Sequence, residues 1–373
     1  MYFKEQRFEP SKASTLAATH TVELPASGIL DSIGLFFRAT NADPPTVLPS
    51  NLHHHITKIE VIGDNDKILH SLSAEQEIAK AYRKMGALPP FKQIEYNALS
   101  QDLYIPLFFG RHFRDPAYAL DLAQWDKVEL QVTNDLTTGT ITDSLQMETH
   151  LTTQEEASGI PAKMLKQWQY DSRSAVAAGQ NIDVKLPTKG KLRTLMIQLD
   201  PVLSASTGAP TADPLGDSYN WKLWFKDRAL TIFDHRPRDM MRDEHRRLGV
   251  GVSFSHPKAS TTLHMDYHWG EVLSIACSPN YTGAAVLPTM EGDRERYQAV
   301  INVGTVTDFD AIIAGVGLFH TFEIPWFVKD EEEEYLDLSL MSPVEIRSYA
   351  SNYYYAHKTI LEKPVGQGPS EFA

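Results

Sequence analysis

The sequence predicts an all-β chain of two tandem antiparallel sandwiches, each of eight strands. Three observations predict it. Apolar residues recur in short alternating runs, the period of a strand with one buried face. Turn formers separate the runs: 22 prolines and 21 glycines punctuate the chain, as a fold of many short strands requires. Phrases from the first half also return, in the same order, in the second.

The elements follow in chain order. Residues 1–19 are expected as a loosely ordered N-terminal arm, and residues 20–150 as the first sandwich. Within it, "ILDSIGLFFRA" (Ile29–Ala39), "ITKIEVIGD" (Ile56–Asp64) and "KVELQVT" (Lys127–Thr133) read as strands. The triplet His53–His55 is expected in a loop, because consecutive strand residues alternate in direction and three in a row do not converge on a metal. Ser73–Met85 reads as a helix: Ser73 caps it, Gln76 completes a capping box, Ile78, Ala81, Tyr82 and Met85 share a face, and Gly86 stops it. Residues 151–178 are polar and partly helical in pattern, as a linker would be. The second sandwich is placed at 179–355, with "RTLMIQLD" (Arg193–Asp200) and "NWKLWFKD" (Asn220–Asp227) as strands and Pro237–Leu248 as a helix. Residues 356–373 are expected as a C-terminal arm.

The repeat is the strongest signal. "LPASGILDSIGLFF" from Leu24 returns as "LPTKGKLRTLMIQL" from Leu186, an offset of 186 − 24 = 162. Leu30, Ile33, Leu35 and Phe37 then coincide with Leu192, Leu195, Ile197 and Leu199. The hairpin Ile59–Leu69 falls on Leu223–Phe233 at an offset of 164, which also lays Ser73–Met85 over Pro237–Gly249. "IPLF" (Ile105–Phe108) answers "IPWF" (Ile324–Phe327), and "LDLAQWDKVEL" (Leu120–Leu130) answers "LDLSLMSPVEI" (Leu336–Ile346) at 336 − 120 = 216. The second copy therefore carries about 52 extra residues (216 − 164), within about 250–319. Each copy has the size of an eight-stranded jelly roll.

Composition narrows the function. No apolar run reaches the roughly 18 residues of a membrane span, and the opening "MYFKEQRFEP" lacks a secretory leader pattern. Cys277 is the single cysteine, so no intrachain disulfide forms. A net charge of −13 disfavours direct binding to nucleic acid.

The tandem sandwiches, a helix in each, and phrases such as "ITKIEVIGDNDKILHSLSAEQEIAKAY" and "IPLFFGRHFRDPAYALDLAQWDKVELQVT" give the chain a resemblance. It resembles the double jelly-roll major capsid proteins of tailless icosahedral viruses, the lineage of adenovirus hexon and several membrane-containing bacteriophages, over about residues 20–350. The resemblance implies a bacteriophage structural protein of the virion shell, assembled in the host cytoplasm. It implies a homotrimer shaped as a pseudo-hexagonal capsomer that meets neighbouring capsomers, penton and minor capsid proteins, and an internal membrane. It implies no cofactor and no catalytic or metal residue.

Two rival readings rest on particular residues. In "HMDYHWGE", His264, Asp266 and His268 alternate, so on one strand they share a side. His264 and Asp266 with a distant His320 would form the facial triad of a non-haem iron oxygenase, and Glu271 would suit a bicupin. No Arg or Lys follows His320 closely enough to hold a co-substrate carboxylate, the first being Lys329. A carbohydrate-binding sandwich would use "NYYYAH" (Asn352–His357) and "WKLWF" (Trp221–Phe225) as sugar platforms. Asp234 and His235 are expected to cap a helix, the acidic run Asp330–Glu334 to be a solvated hairpin loop, and Cys277 to be a buried small residue.

Overall fold

The computed structural model describes residues 2–15, 17–40, 52–86, 91–92, 100–137, 145–155, 159, 161, 163–173, 179–201, 218–236, 240, 252–257, 262–265, 268–277, 289–291, 299–302, 308–318, 321–324, 335–350 and 355–372. The chain divides into two compact units. The first holds 1–168, 256–260 and 364–373, and the second holds 169–255 and 261–363.

In the first unit one sheet runs β1 (Tyr2–Ser14), β10 (Leu145–Glu155), β3 (Ile29–Thr40), β7 (Ser100–Phe108) and β6 (Phe91–Lys92), with β8 (Leu120–Asp121) also on β3. The other runs β2 (Ala17–Glu23), β9 (Val128–Asp135), β4 (Ile56–Gly63) and β5 (Lys67–Leu72), with β11 (Lys163–Arg173) parallel to β5 through Gln167–His70 and Trp168–Ser71. Alternation does what it predicts. Ile33, Leu35 and Phe37 from the first sheet and Ile59, Val61 and Leu130 from the second are wholly buried. The short helix α1 (Leu52–His55) holds the histidine triplet, which is therefore helical where a loop was expected. Leu52 N–H caps onto Gln101 Oε1 at 3.1 Å, and His53 and His55 are buried.

Helix α2 (Ala74–Met85) follows its sequence signals at both ends. Gln76 N–H donates to Ser73 Oγ, Ser73 N–H donates to Gln76 Oε1, and Gly86 closes it at φ 68° with its N–H on Tyr82 O. Ile78, Ala81 and Tyr82 are buried, but Met85 is 43% exposed in the last turn. Gln76, Glu77 and Lys80 are buried in its place.

In the second unit β14 (Thr194–Pro201) lies between β26 (Tyr355–Gly366) and β23 (Thr321–Glu323). A second sheet runs β12 (Asn181–Lys185), β25 (Val344–Ala350), β15 (Ser218–Phe225) and β16 (Leu230–His235). β13 (Lys191–Leu192) pairs with β24 (Leu336–Asp337), followed by helix α3 (Leu338–Met341). The described parts of the insertion are β structure. They form one sheet of β17 (Val252–Pro257), β22 (Asp308–Leu318) and β19 (His268–Cys277), and another of β18 (Thr262–Met265), β21 (Ala299–Asn302) and β20 (Thr289–Glu291). The helix expected at 237–248 lies outside the described residues except Met240, which is helical.

The two units repeat at the level of single hydrogen bonds. Leu24 N–H donates to Val128 O at 2.9 Å, as Leu186 N–H does to Val344 O. Leu122 N–H meets Gly28 O and Leu338 N–H meets Gly190 O, at 2.9 and 3.0 Å. Asp121 and Asp337 each cap the helical turn that follows, accepting from Ala123 N–H and Ser339 N–H. The phrase LDL-x5-VE[L/I] is thus a two-residue strand, a capped turn and the start of the next strand, built twice. The fold is a double jelly roll.

Three expected segments come out differently. Residues 2–14 are β1, paired with β10 from Tyr2–Glu155 to Ser14–Leu145, because their backbone groups find partners on that strand. Most of the described part of the expected linker is β structure: Leu151–Glu155 ends β10 and Lys163–Arg173 is β11. The C-terminal segment is also not an arm. β26 pairs with β14 from Thr194–Glu362 to Pro201–Tyr355. Beyond it, Gln367 Nε2 donates to Ala119 O and Pro161 O, and Phe372 stacks edge-on to Trp125 at 5.4 Å.

The hairpin offset is also corrected. Gly63 faces Val128 as Phe225 faces Val344, so β4 maps onto β15 at 225 − 63 = 162, not 164. The turn Asp64–Asp66 has become Lys226–Ala229, one residue longer, and β5 then maps onto β16 at 230 − 67 = 163. A Cβ on Gly63 would meet Trp125 Cε3 at 2.3 Å. The second copy has Phe225 at the position of Gly63 and Met341 at that of Trp125, so a larger residue at the first position goes with a smaller one at the second.

Candidate functional site

The densest polar cluster lies where α2 meets β5 and β11. Glu77 takes His70 Nε2–H on one oxygen and the Lys80 ammonium at 2.7 Å on the other. Lys80 also donates to Gln167 Oε1, and Gln167 Nε2 donates to Phe108 O at 3.0 Å. All four side chains are at most 3% exposed. Burial pushes the His70 imidazole down, aided by Lys80 and Lys84, so it stays neutral and donates to an ionised Glu77. Burial opposes that ionisation, but the facing His70 and Lys80 outweigh it and hold the carboxyl below its usual range. An ionised Glu beside a neutral His has the outline of an acid–base pair, yet it is sealed from substrate. Its effect is to tie helix to sheet. The sequence carries a signal for it, Glu77 and Lys80 one turn apart next to the apolar stripe, which reads equally well as a solvated pair.

A second cluster sits at the β3 bulge. Asp31 is 1% exposed and accepts from Arg114 N–H at 3.2 Å through Oδ2, while Oδ1 has no partner among the described residues. Burial pushes its carboxyl up to about 6, against hydrogen bonds from Arg114, Ser32 and Asp115. Asp115 beside it is held low: burial raises it, and the Arg111 fork at 2.7 and 3.0 Å with the Arg111 and Ala117 N–H groups overcomes that.

The residues singled out by sequence are dispersed. His264 lies on β18 opposite Val300 and His268 on β19 opposite Leu318, so the alternating set does not share one strand. Asp266, His320 and the acidic run 330–334 lie outside the described residues. Among the described residues no three His, Cys, Asp or Glu side chains gather as a metal site would need. Asp234 and His235 are strand residues, with Asp234 paired to Lys222 at 3.0 Å, and the helix they were expected to cap lies outside the described residues except Met240. Cys277 ends β19. "WKLWF" is no open platform. Trp221, Leu223 and Phe225 are core, and the Trp224 ring carries the Arg228 and Arg347 guanidinium groups at 4.7 and 4.9 Å. Those arginines are pinned by Asp183 and Glu345. Of "NYYYAH", Tyr355, Ala356 and His357 begin β26, His357 is buried, and residues 352–354 lie outside the described residues.

No protein-family model matches the chain, and neither does any curated protein. Solved structures do match along nearly its whole length. The major capsid protein of STIV, the Sulfolobus turreted icosahedral virus, superposes with a TM-score of 0.62 at 8% identity, covering 97% of this chain and 96% of that one. The major capsid protein of bacteriophage PM2 gives 0.53 at 8% identity, with 97% of both chains covered. VP54 of PBCV-1, fitted into a reconstruction of the virophage Sputnik, gives 0.55 at 10% identity, covering 98% of this chain and 94% of the other. The double jelly roll of this chain is the fold of these viral capsid proteins.

Proposed function

We propose that the chain is a viral major capsid protein whose work is self-association. Three copies form a pseudo-hexagonal capsomer, and capsomers tile an icosahedral shell. The observation that carries this reading is the duplication. One chain builds the same sandwich twice, down to the Leu24–Val128 and Leu186–Val344 bonds, so a threefold ring offers six near-equal wedges. The insertion in the second copy, β17 to β22, gives alternate wedges different surfaces. The fold likeness supports the reading because it spans almost all of both chains in each comparison, insertion included. Neighbouring capsomers, penton and minor capsid proteins and an underlying membrane are the partners this role calls for. The net charge of −13 keeps the protein off the genome. This reading assigns the chain no catalysis and no cofactor, and places it in the virion after assembly in the host cytoplasm.

Light scattering on the purified protein, with negative-stain images of the same fraction, tests the proposal. A particle of about 126 kDa (3 × 41.9) seen as a hexagonal block is expected. A monomer carrying one transition metal per chain would overturn it and return attention to His264, Asp266 and His320.

A further inference from the structure

The loop from Phe109 to Ala119 is held at many points. Lys84 Nζ donates to Gly110 O at 2.8 Å, Gln154 Nε2 donates to Asp115 O at 2.8 Å, and Asp115 takes the Arg111 fork. Within this clamped loop Arg114 adopts φ 60°, a left-handed conformation costly for a side chain of its size. Among the described residues, the other non-glycine positions with positive φ are in the two hairpin turns, 64–65 and 226–228. Arg114 is exposed, and its guanidinium lies 4.7 Å from the Phe113 ring centre and 5.9 Å from that of Phe3. Phe113 is itself 44% exposed. Arg111, three residues earlier, is neutralised by Asp115, but Arg114 has no carboxylate partner among the described residues. A rigid loop thus presents one strained cation on an aromatic shelf, without a countercharge among the described residues, on a chain of net charge −13. Such a guanidinium is set to receive carboxylates with little ordering cost.

We propose that Arg114, flanked by Phe3 and Phe113, anchors the acidic run Asp330–Glu334 of a second copy of this chain. The run supplies five consecutive carboxylates, a match in charge to the cation, while Tyr335 after it is held within its own chain, the Lys191 ammonium lying 3.8 Å from its ring centre. This rests on the self-association reading and names one of its contacts.

The test separates the two. A fluorescent peptide of residues 328–337, VKDEEEEYLD, is titrated onto the full-length protein by anisotropy at low and moderate salt. Saturable binding is expected, weakened at least tenfold by Arg114→Glu and by added salt. The full-length Arg114→Glu variant should also associate at a concentration at least tenfold higher than the parent in sedimentation, and reversing the charges of 330–334 in it should restore association. No peptide binding, or binding equal in Arg114→Glu with an unchanged melting temperature, overturns the contact even if the parent assembles. A parent that binds the peptide yet stays monomeric at every concentration instead overturns the capsomer.

Discussion

His357 stands in the second sandwich where Met147 stands in the first. His357 pairs with Leu199 and Met147 with Phe37, and 199 − 37 = 162, the offset of the two copies. His357 is 1% exposed, and neither ring nitrogen has a hydrogen-bond partner among the described residues. Burial pushes its pKa from 6.5 down to about 4, with Asp171 pulling it up and Arg173 pushing it further down. The unfolded chain therefore binds the proton more readily than the folded one between those values. Stability is full above 6.5 and falls as the pH drops towards 4. The shift of 2.5 units (6.5 − 4), at 1.36 kcal/mol each, is worth about 3 kcal/mol at the acid end. Replacement by the residue of the other copy, His357→Met, removes both this term and two unpaired buried nitrogens, the latter worth about 1–3 kcal/mol at any pH. Urea denaturation of parent and variant from pH 4 to 7.5 measures it. The variant is expected to be more stable throughout, with a gap that widens by about 3 kcal/mol towards pH 4. A gap that stays constant over that range would refute the burial of an unpaired imidazole.

Other expectations follow from the same geometry. Glu77→Gln leaves the Lys80 ammonium buried without its carboxylate, and chemical denaturation should show a loss of about 3–5 kcal/mol. Asp31→Asn should act in the opposite sense. Because the folded pKa of about 6 exceeds the ordinary 3.8, stability is full below 3.8 and is lost as the pH rises through 6. The neutral amide should thus gain up to about 3 kcal/mol at pH 7.5 (2.2 × 1.36) and nothing at pH 3.5, as read from melting curves at both. Gly63→Ala drives a methyl into Trp125 and should cost about 1–3 kcal/mol, visible as a lower urea midpoint, whereas the same change combined with Trp125→Leu should recover part of it.

Much of the fold was legible because duplication doubles the signal. Leu30, Ile33, Leu35 and Phe37 alternate in one copy, and the same alternation at 192, 195, 197 and 199 makes chance a poor account. Helix α2 was legible because its caps are local chemistry: Ser73, Gln76 and Gly86 act within a few residues of themselves. β26 was missed because little but Thr149/Thr359 and Leu151/Leu361 survives of its likeness to β10, and a two-residue agreement carries no weight alone. β1 was missed because it is an edge strand with no buried side chain among those described, so no apolar period marks it. The polar cluster under α2 was illegible for a related reason. Glu77 and Lys80 on a helix look the same in sequence whether water or His70 and Gln167 face them.

The sequence by itself determined the class of this protein: two copies of one β sandwich, the place of the large insertion, and the capped helix of the first copy. These follow from period, turn chemistry and repetition, all of which act between near neighbours or between whole copies. Only the tertiary structure decided which chain ends are strands, which polar side chains are buried, and that Arg111 is paired with Asp115 while Arg114 meets no carboxylate among the described residues. Such outcomes depend on what lies across a sheet or under a loop. Those partners are distant in the chain, such as Gln154 for Asp115 or Gln167 for Lys80, and no local pattern records them.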